Sequence, residues 1–122
     1  MKLKSRILGT VGIAAAVATA TVALPATANA AVGYDRCPSG HACLFSGANG
    51  SGSMAYFRYG SPDLRGQSMD NTAESIWNRA GAGALIYTGY NYSGENDHWG
   101  SGARGNLSVN GFANVASSIR VG

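Results

Sequence analysis

Charge is scarce in this chain, and most of its imbalance lies at one end. Asp, Glu, Lys and Arg together make up 12% of the residues, and both lysines, Lys2 and Lys4, are close to the amino terminus. Residues 31–122 contain six arginines against six acidic residues and show no cluster of either sign. A net charge near zero produces no field that would attract nucleic acid or an anionic membrane, so we expect neither partner.

Residue patterns typical of enzymes are also missing. The two histidines, His41 and His98, are far apart in the sequence. A serine nucleophile elbow, a zinc-binding histidine pair and a matched pair of carboxylates are all absent from the sequence pattern. We therefore predict a protein that is not an enzyme.

Long hydrophobic runs are limited to one. Residues 7–24 are apolar and rich in Ala and Val, follow a basic start and end at Pro25, and residues 28–30 (Ala-Asn-Ala) offer a small-x-small cleavage site. A transmembrane anchor is the alternative, because the run is close to spanning length, although its Ala-rich composition is weakly hydrophobic. We predict a signal peptide over residues 1–30, and a secreted, extracellular protein of residues 31–122 without membrane association.

Cysteine is nearly absent. Cys37 and Cys43 are the two cysteines of the chain, and the segment between them contains Pro38 and Gly40, which suit a chain reversal. In a small exported chain this pair predicts a disulfide bond. A metal-thiolate site with His41 is the alternative, but the spacing matches no zinc pattern and two further ligands would be needed.

A repeated pattern is the strongest feature that is present. Residues 44–52 align without a gap on residues 86–94 at an offset of 42, and residues 70–76 align on residues 113–119 at an offset of 43. A fixed period indicates one supersecondary unit used twice, with each unit burying its apolar face against the other. We predict one monomeric domain, with motif one at about residues 37–79 and motif two at about residues 80–122.

Each copy reads as β-structure, because short apolar runs enter turns rich in Gly, Asn and Ser. The predicted strands, given in pairs from the two copies, are residues 42–45 and 84–87, 53–59 and 95–99, 64–68 and 106–109, and 75–77 and 118–121. In both copies a glycine follows an aromatic residue by seven positions. Such a glycine is needed where a hairpin folds over and the backbone adopts positive φ.

These positions resemble the Greek-key motif of the βγ-crystallin superfamily, which has an aromatic residue, a glycine seven residues later and a later serine. The matching residues are Phe45, Gly52 and Ser75 in motif one and Tyr87, Gly94 and Ser118 in motif two. The resemblance implies an all-β fold, a βγ-crystallin-like sandwich of two Greek-key motifs.

The opening segment, residues 37–45, is similar to the actinobacterial secreted branch of that superfamily. That branch is grouped as a peptidase-inhibitor family, typified by an inhibitor of thermolysin-like metalloproteinases, and the same fold resembles secreted killer-toxin-like proteins. The resemblance implies a protein that binds and inhibits an extracellular peptidase of the metalloproteinase type. The typical inhibitor resembles a two-disulfide protein, whereas this chain can form one bridge. The inhibitory loop is therefore left open between residues 61–67 and 99–106.

The same resemblance implies a candidate calcium site as the alternative function. The superfamily's calcium motif has Asn or Asp twice, two residues of any type, Ser or Thr, and Ser. Residues 70–75 depart from it at Glu74, and residues 113–118 depart from it at Ala113. Calcium prefers six to eight oxygen ligands, including carboxylates. The candidate ligands are Asp70, Asn71, Glu74, Ser75, Asn114 and Ser117, and no other cofactor is expected.

An aromatic group offers a second alternative, a glycan-binding module. Tyr87, Tyr90, Tyr92 and Trp99 could stack on sugar rings, although alternate members of the group are expected in the core.

Overall fold

The computed structural model describes residues 32–122. The predicted signal peptide, residues 1–30, lies outside the described residues. Within residues 32–122, no helix combines the length and the hydrophobicity required to span a bilayer.

Residues 32–122 form eight short strands and four single-turn 3₁₀ helices. The strands are β1 (Ala42–Phe45), β2 (Met54–Phe57), β3 (Gly60–Ser61), β4 (Ser75–Asn78), β5 (Ala84–Tyr87), β6 (Asn96–Trp99), β7 (Arg104–Asn106) and β8 (Ser118–Val121). The 3₁₀ helices are Gly33–Arg36, Ala48–Gly50, Leu64–Gln67 and Leu107–Asn110.

The strands make two antiparallel sheets that share strands between the two motifs. The first sheet has the order β2-β1-β4-β7 and the second has the order β3-β8-β5-β6. Each motif therefore lends its third strand to the sheet of the other motif. This exchange is the Greek-key connection, and it confirms the predicted sandwich of two Greek-key motifs.

The strand register repeats as the sequence does. Phe45 lies opposite Ser75 in the first sheet, and Tyr87 lies opposite Ser118 in the second. The two pairs are related by the offsets of 42 and 43 found in the sequence. The duplication is therefore a duplication of structure, strand for strand.

The main core lies between the sheets and is built from alternate residues of the central strands. Leu44 and Ile76 in the first sheet face Ile86 and Ile119 in the second, and all four side chains are fully buried. Burying each such side chain stabilises the fold by about 1.5–3 kcal/mol. The alternation also fixes which residues point outward, because a shift of one residue would expose this set.

The prediction of third strands at residues 64–68 and 106–109 was wrong. The third strands are β3, which precedes the first segment, and β7, which ends at the first residue of the second, Asn106; 3₁₀ helices follow at Leu64–Gln67 and Leu107–Asn110. Leu64 and Leu107 open these helices and are fully buried. Both leucine side chains pack in the main core. An apolar residue is therefore needed at each position although no strand forms there.

A second, smaller core lies on the outer face of the first sheet. It consists of the Cys37–Cys43 disulfide and Phe45, with Tyr34 and Trp77 packed against them. The disulfide predicted from the sequence is confirmed. It ties the segment that precedes β1 to the middle of β1.

Candidate functional site

The hairpins after β1 and β5 each turn at a glycine that no other residue could replace without strain. Gly52 has φ of 78° and Gly94 has φ of 83°. A Cβ atom on Gly52 would collide with the Ser46 hydroxyl, and one on Gly94 would collide with the Thr88 hydroxyl. Positive φ and the lack of space together explain the glycine of each motif.

One buried serine holds each hairpin over its sheet. Ser75 and Ser118 are fully buried, and the Oγ atom of each bonds with the hairpin backbone of its own motif. The aromatic residues Phe45 and Tyr87 are buried at the ends of β1 and β5. These residues therefore serve the fold.

The structure divides the residues predicted to bind calcium. Ser75 uses its hydroxyl group in the hairpin, both as donor and as acceptor. Asp70 accepts a hydrogen bond from the Tyr90 hydroxyl at Oδ2, while its Oδ1 atom is buried and has no hydrogen-bond partner among residues 32–122. These two residues face different neighbours.

Glu74 and Asn114 are brought together from the two motifs. The Asn114 side chain donates to Glu74 Oε2 at 3.3 Å. Asn71 bonds through its backbone to Ala116, and Ser117 is buried against β5. No group of three or more Asp, Glu, His or Cys side chains within residues 32–122 is arranged to hold a metal ion. Of the six candidate ligands, the structure brings Glu74 and Asn114 into direct contact and places Asp70 beside Tyr90.

The loop of residues 61–67 is tied to motif two through its backbone. The Leu64 amide donates to the Ser117 carbonyl at 2.9 Å, and the Asn91 amide donates to the Pro62 carbonyl at 2.8 Å. In both contacts the partner residue belongs to motif two, whereas the loop belongs to motif one. The two contacts fix Pro62 and Leu64, which come directly before the exposed residue Arg65.

Side-chain contacts also hold this loop in place. Arg65 pairs with Asp63 through two hydrogen bonds, Nε to Oδ1 at 3.0 Å and Nη2 to Oδ2 at 2.8 Å. The Arg65 guanidinium lies over the Tyr90 ring at 4.3 Å from its centroid. The Tyr90 hydroxyl in turn donates to Asp70 Oδ2 at 2.9 Å. Asp63 and Arg65 stand in the loop and are exposed to solvent, and the chain of contacts continues outside the loop through Tyr90 and Asp70.

The charges of this network alter the acidity of its members. The hydrogen bonds from Arg65 lower the pKa of Asp63 below its usual value, and the same pairing raises the pKa of Arg65. The hydrogen bond to Asp70 raises the pKa of Tyr90. Around neutral pH, Asp63 is therefore ionised and Tyr90 is protonated, which is the arrangement that keeps every contact of the network.

The second candidate loop, residues 99–106, offers less exposed chain. Its last three residues form strand β7, which pairs with β4. The remaining turn is closed by backbone hydrogen bonds from Gly102 to Asn78 and from Ala103 to Gly100. The Ser101 hydroxyl donates to Ala80. Side chains hold this loop as well: Asn106 bonds with Asn49, and Arg104 lies over the rings of Tyr34 and Trp77.

The aromatic group considered for glycan binding is not a flat exposed platform. Tyr87 and Trp99 are buried, and Tyr90 belongs to the network of Arg65. Tyr92 is 37% exposed and is covered on one side by Arg120.

A cluster of arginines on the first sheet was missed by the sequence analysis. Arg36 lies over Phe45 at 5.4 Å from the ring centroid, and Arg79 and Arg104 lie over Trp77 at 4.8 and 5.1 Å. We call this surface, with Tyr34 beside it, the arginine face. The expectation of no charge clustering was wrong, because the strand register joins residues that are distant in sequence. The alternation of Trp77 and Arg79 was the one local signal that both point outward.

Comparison with known families gives a match over more than half of the chain. A family model described as peptidase inhibitor family I36 matches residues 30–99. No curated protein matches the chain at a significant level.

Comparison with solved structures gives the fold. A βγ-crystallin domain studied for the evolution of the eye-lens fold is 18% identical, with a TM-score of 0.66 and coverage of 70% of this chain and 89% of that one. A βγ-crystallin from Ciona intestinalis is 18% identical, with a TM-score of 0.62 and coverage of 68% and 100%. A βγ-crystallin from an archaeon is 19% identical, with a TM-score of 0.60 and coverage of 69% and 99%. The chain therefore has a βγ-crystallin fold.

Proposed function

The chain belongs to peptidase inhibitor family I36, and from that membership we propose that it is secreted and inhibits an extracellular peptidase of the metalloproteinase type. Family membership also supports a role in binding rather than in catalysis. Secretion rests on the signal-like residues 1–30, and the class of peptidase rests on the resemblance of residues 37–45.

The loop of residues 61–67 is the proposed contact with the peptidase. The observation that carries this choice is the network that links Asp63 and Arg65 of the exposed loop to Tyr90 and Asp70 outside it. Binding costs free energy for every loop and side chain that must be ordered, so a loop that is already held binds with a smaller loss. The Arg65 side chain is 64% exposed at the tip of this loop. Tyrosine and arginine are also the residue types enriched at energetically important positions of protein interfaces.

An inhibition assay with one loop variant and one matched control tests the proposal. The purified protein is titrated against a thermolysin-like metalloproteinase and, separately, against a subtilisin-like serine peptidase. Arg65→Ala removes the exposed side chain at the tip of the loop. Arg120→Ala is the control, because Arg120 is also exposed and also lies over a tyrosine, but it stands on β8 opposite Gly60 and takes no part in the contacts between Asp63, Arg65, Tyr90 and Asp70.

We expect inhibition of the metalloproteinase by the unmodified protein and by Arg120→Ala, and an inhibition constant at least about tenfold weaker for Arg65→Ala, a loss of roughly 1.4 kcal/mol in binding. If neither peptidase is inhibited at micromolar concentration, the proposed activity is wrong for these two classes. Inhibition by Arg65→Ala as strong as that by the unmodified protein would instead reject the loop while leaving the activity in place.

A weak calcium site is the second candidate function, and the contact between Glu74 and Asn114 is the observation that favours it. The two oxygen-bearing side chains come from the two motifs, so an ion held there would link them. A ligand that binds the folded state raises the melting temperature. The expected result is a higher melting temperature in millimolar calcium than in chelator. Glu74→Gln should abolish this difference in melting temperature. An unchanged melting temperature of the original protein would reject the site.

A further inference from the structure

The arginine face lies on the outer side of the first sheet, away from the main core. Leu44 and Ile76 point inward, so their neighbours Cys43 and Trp77 point outward. Trp77 pairs across the strands with Arg104, and Arg79 follows Trp77 by two residues on the same side. Strand register thus places two guanidinium groups against one indole ring.

A third arginine joins this surface from the segment before β1. Arg36 lies over the Phe45 ring, and its Nη1 and Nη2 atoms donate to the carbonyl groups of Gly52 and Gly50 at 2.8 Å each. Tyr34 from the same segment packs at right angles to Trp77, with their ring centroids 6.3 Å apart. The three cations and their supporting rings form a continuous layer over the small core.

The positive charge of the arginine face is not neutralised by ion pairs. The pair of Asp63 with Arg65 is the one ion pair in residues 32–122, and it lies elsewhere. Asp35 is the carboxylate nearest in sequence, next to Arg36, and it makes no ion pair within the described part of the chain. Arg104 makes neither an ion pair nor a side-chain hydrogen bond with residues 32–122, although it is exposed. Its five N–H donors are available to a partner.

Stacking holds these guanidinium groups in place. Arg104 lies between two rings, 5.0 Å from the Tyr34 centroid and 5.1 Å from the Trp77 centroid. The stacked guanidinium of Arg104 keeps its planar donors free at the edge, where they match the paired oxygens of carboxylate, sulfate or phosphate groups. The stacked side chain therefore loses less conformational entropy when an anion binds. Arg36 and Arg79 donate to backbone carbonyl groups and contribute chiefly their positive charge.

From this geometry we infer a second binding site on the arginine face, for an acidic polysaccharide that bears sulfate or carboxylate groups. The three cations are spread over a flat sheet face rather than gathered in one pocket, which suits an anion repeated along a chain. Guanidinium groups cover the faces of Trp77, Tyr34 and Phe45, so bases of a single-stranded nucleic acid cannot stack there as such binding requires. The loop proposed to contact the peptidase lies in the other part of the sandwich, beside Tyr90 and Ser117. The two sites are therefore independent.

Binding to heparin, a sulfated polysaccharide, tests the inference, with neutral dextran as the comparison. The decisive variant is Arg104→Glu, because Arg104 has no hydrogen bond within the described chain that the change would break. Arg120→Glu is the matched control, since it makes the same charge change on the other sheet. Circular dichroism and melting temperature confirm that both variants are folded.

We expect heparin binding that weakens about tenfold or more between roughly 50 and 200 mM salt, as for a few neutralised charges, and no dextran binding. Arg104→Glu should weaken heparin binding on the order of tenfold beyond any change in Arg120→Glu. Equal losses in the two variants, or no heparin binding by the unmodified protein at low salt, would reject the site. Tighter binding of oligothymidylate or polyglutamate than of heparin at equal salt would reject the polysaccharide as its ligand. Peptidase inhibition is measured on the same samples, and it should be unchanged in Arg104→Glu.

Discussion

The hydroxyl group of Ser75 accepts a hydrogen bond from the amide of Gly50 at 2.8 Å, and both groups are buried. The same oxygen donates to the Gly47 carbonyl at 2.7 Å. One side chain at the start of β4 thus satisfies a donor and an acceptor of the folded hairpin after β1. Ser118 makes the equivalent pair of bonds in motif two, to Tyr92 and Gly89 at 3.1 and 2.7 Å.

Loss of either serine hydroxyl should destabilise the protein. Ser75→Ala leaves the Gly50 amide buried without an acceptor, a cost of about 1–3 kcal/mol in the free energy of unfolding. Ser118→Ala should cost less, because the bond from Tyr92 is longer and only partly buried. Urea denaturation measures both, with Ser108→Ala as the control, since Ser108 is exposed and its hydroxyl makes no hydrogen bond within residues 32–122. A smaller cost for Ser75→Ala than for Ser118→Ala would contradict this ranking.

The hairpin glycines should tolerate no side chain. Gly52→Ala places a Cβ atom at positive φ and against the Gly47 amide nitrogen, at 2.9 Å. An alanine in such a conformation costs of order 1–3 kcal/mol before the steric clash is counted. Gly94→Ala should behave alike, at φ of 83°. Gly100→Ala is the control, because nothing lies within 4 Å of its added Cβ atom, and a melting temperature close to the original is expected. Thermal melts compare the three variants.

The hairpins and closing strands could be predicted from the sequence because their requirements are local and repeated. A glycine at fixed spacing from an aromatic residue marks a turn that needs positive φ, and the repeat at Gly52 and Gly94 removes the ambiguity of a single instance. The third strands could not be predicted in this way. Strand β3 has two residues, Gly60 and Ser61, which is too short to show any alternation, and the apolar Leu64 beyond it drew the prediction to the wrong segment.

The candidate sites depend on contacts that no local pattern reveals. The spacing of Asp63 and Arg65 is visible in the sequence. Tyr90 and Asp70, which support them, are 20 positions apart from each other, and no local pattern links the two. The arginine face joins Arg36, Arg79 and Arg104 through the disulfide and the strand register. Counting charges along residues 31–122 gives a neutral, evenly mixed sequence, and only the fold brings Arg36, Arg79 and Arg104 to one surface.

The disulfide should contribute measurable stability although its loop is short. In the chain-entropy model, closing the segment between Cys37 and Cys43 is worth roughly 2.4 kcal/mol. Replacing both cysteines by alanine also removes buried sulfur atoms from the small core around Phe45. We therefore expect a loss of at least about 2 kcal/mol in unfolding free energy, measured by urea denaturation. A loss well below that value would show that the segment before β1 is held by Tyr34 and Trp77 instead.

The network of Asp63, Arg65, Tyr90 and Asp70 should contribute less stability at both extremes of pH. Asp63 becomes protonated in strong acid, and Tyr90 becomes deprotonated in strong alkali. Pairing with Arg65 lowers the pKa of Asp63 in the folded state. Its contribution to stability is therefore complete above the ordinary carboxyl pKa of about 3.9, and it is lost as pH falls through the lowered value. The hydrogen bond to Asp70 raises the pKa of Tyr90. That contribution is complete below the ordinary tyrosine pKa of about 10 and is lost as pH rises through the raised value.

Two variants separate these effects in denaturation experiments across pH. The stability difference between the original protein and Asp63→Asn should be constant from about pH 5 to neutrality, and it should shrink as the solution becomes strongly acidic, because protonated Asp63 no longer attracts Arg65. Tyr90→Phe should show its difference at neutral pH and lose it in strong alkali. In an Arg65→Ala background, the pH dependence of Asp63→Asn should become smaller but not vanish, because the guanidinium is gone while the backbone amide of residue 65 still donates to Asp63 Oδ1. A pH dependence of unchanged size in that background would show that the Arg65 side chain does not lower the pKa of Asp63, and the brace proposed for the loop would fail with it.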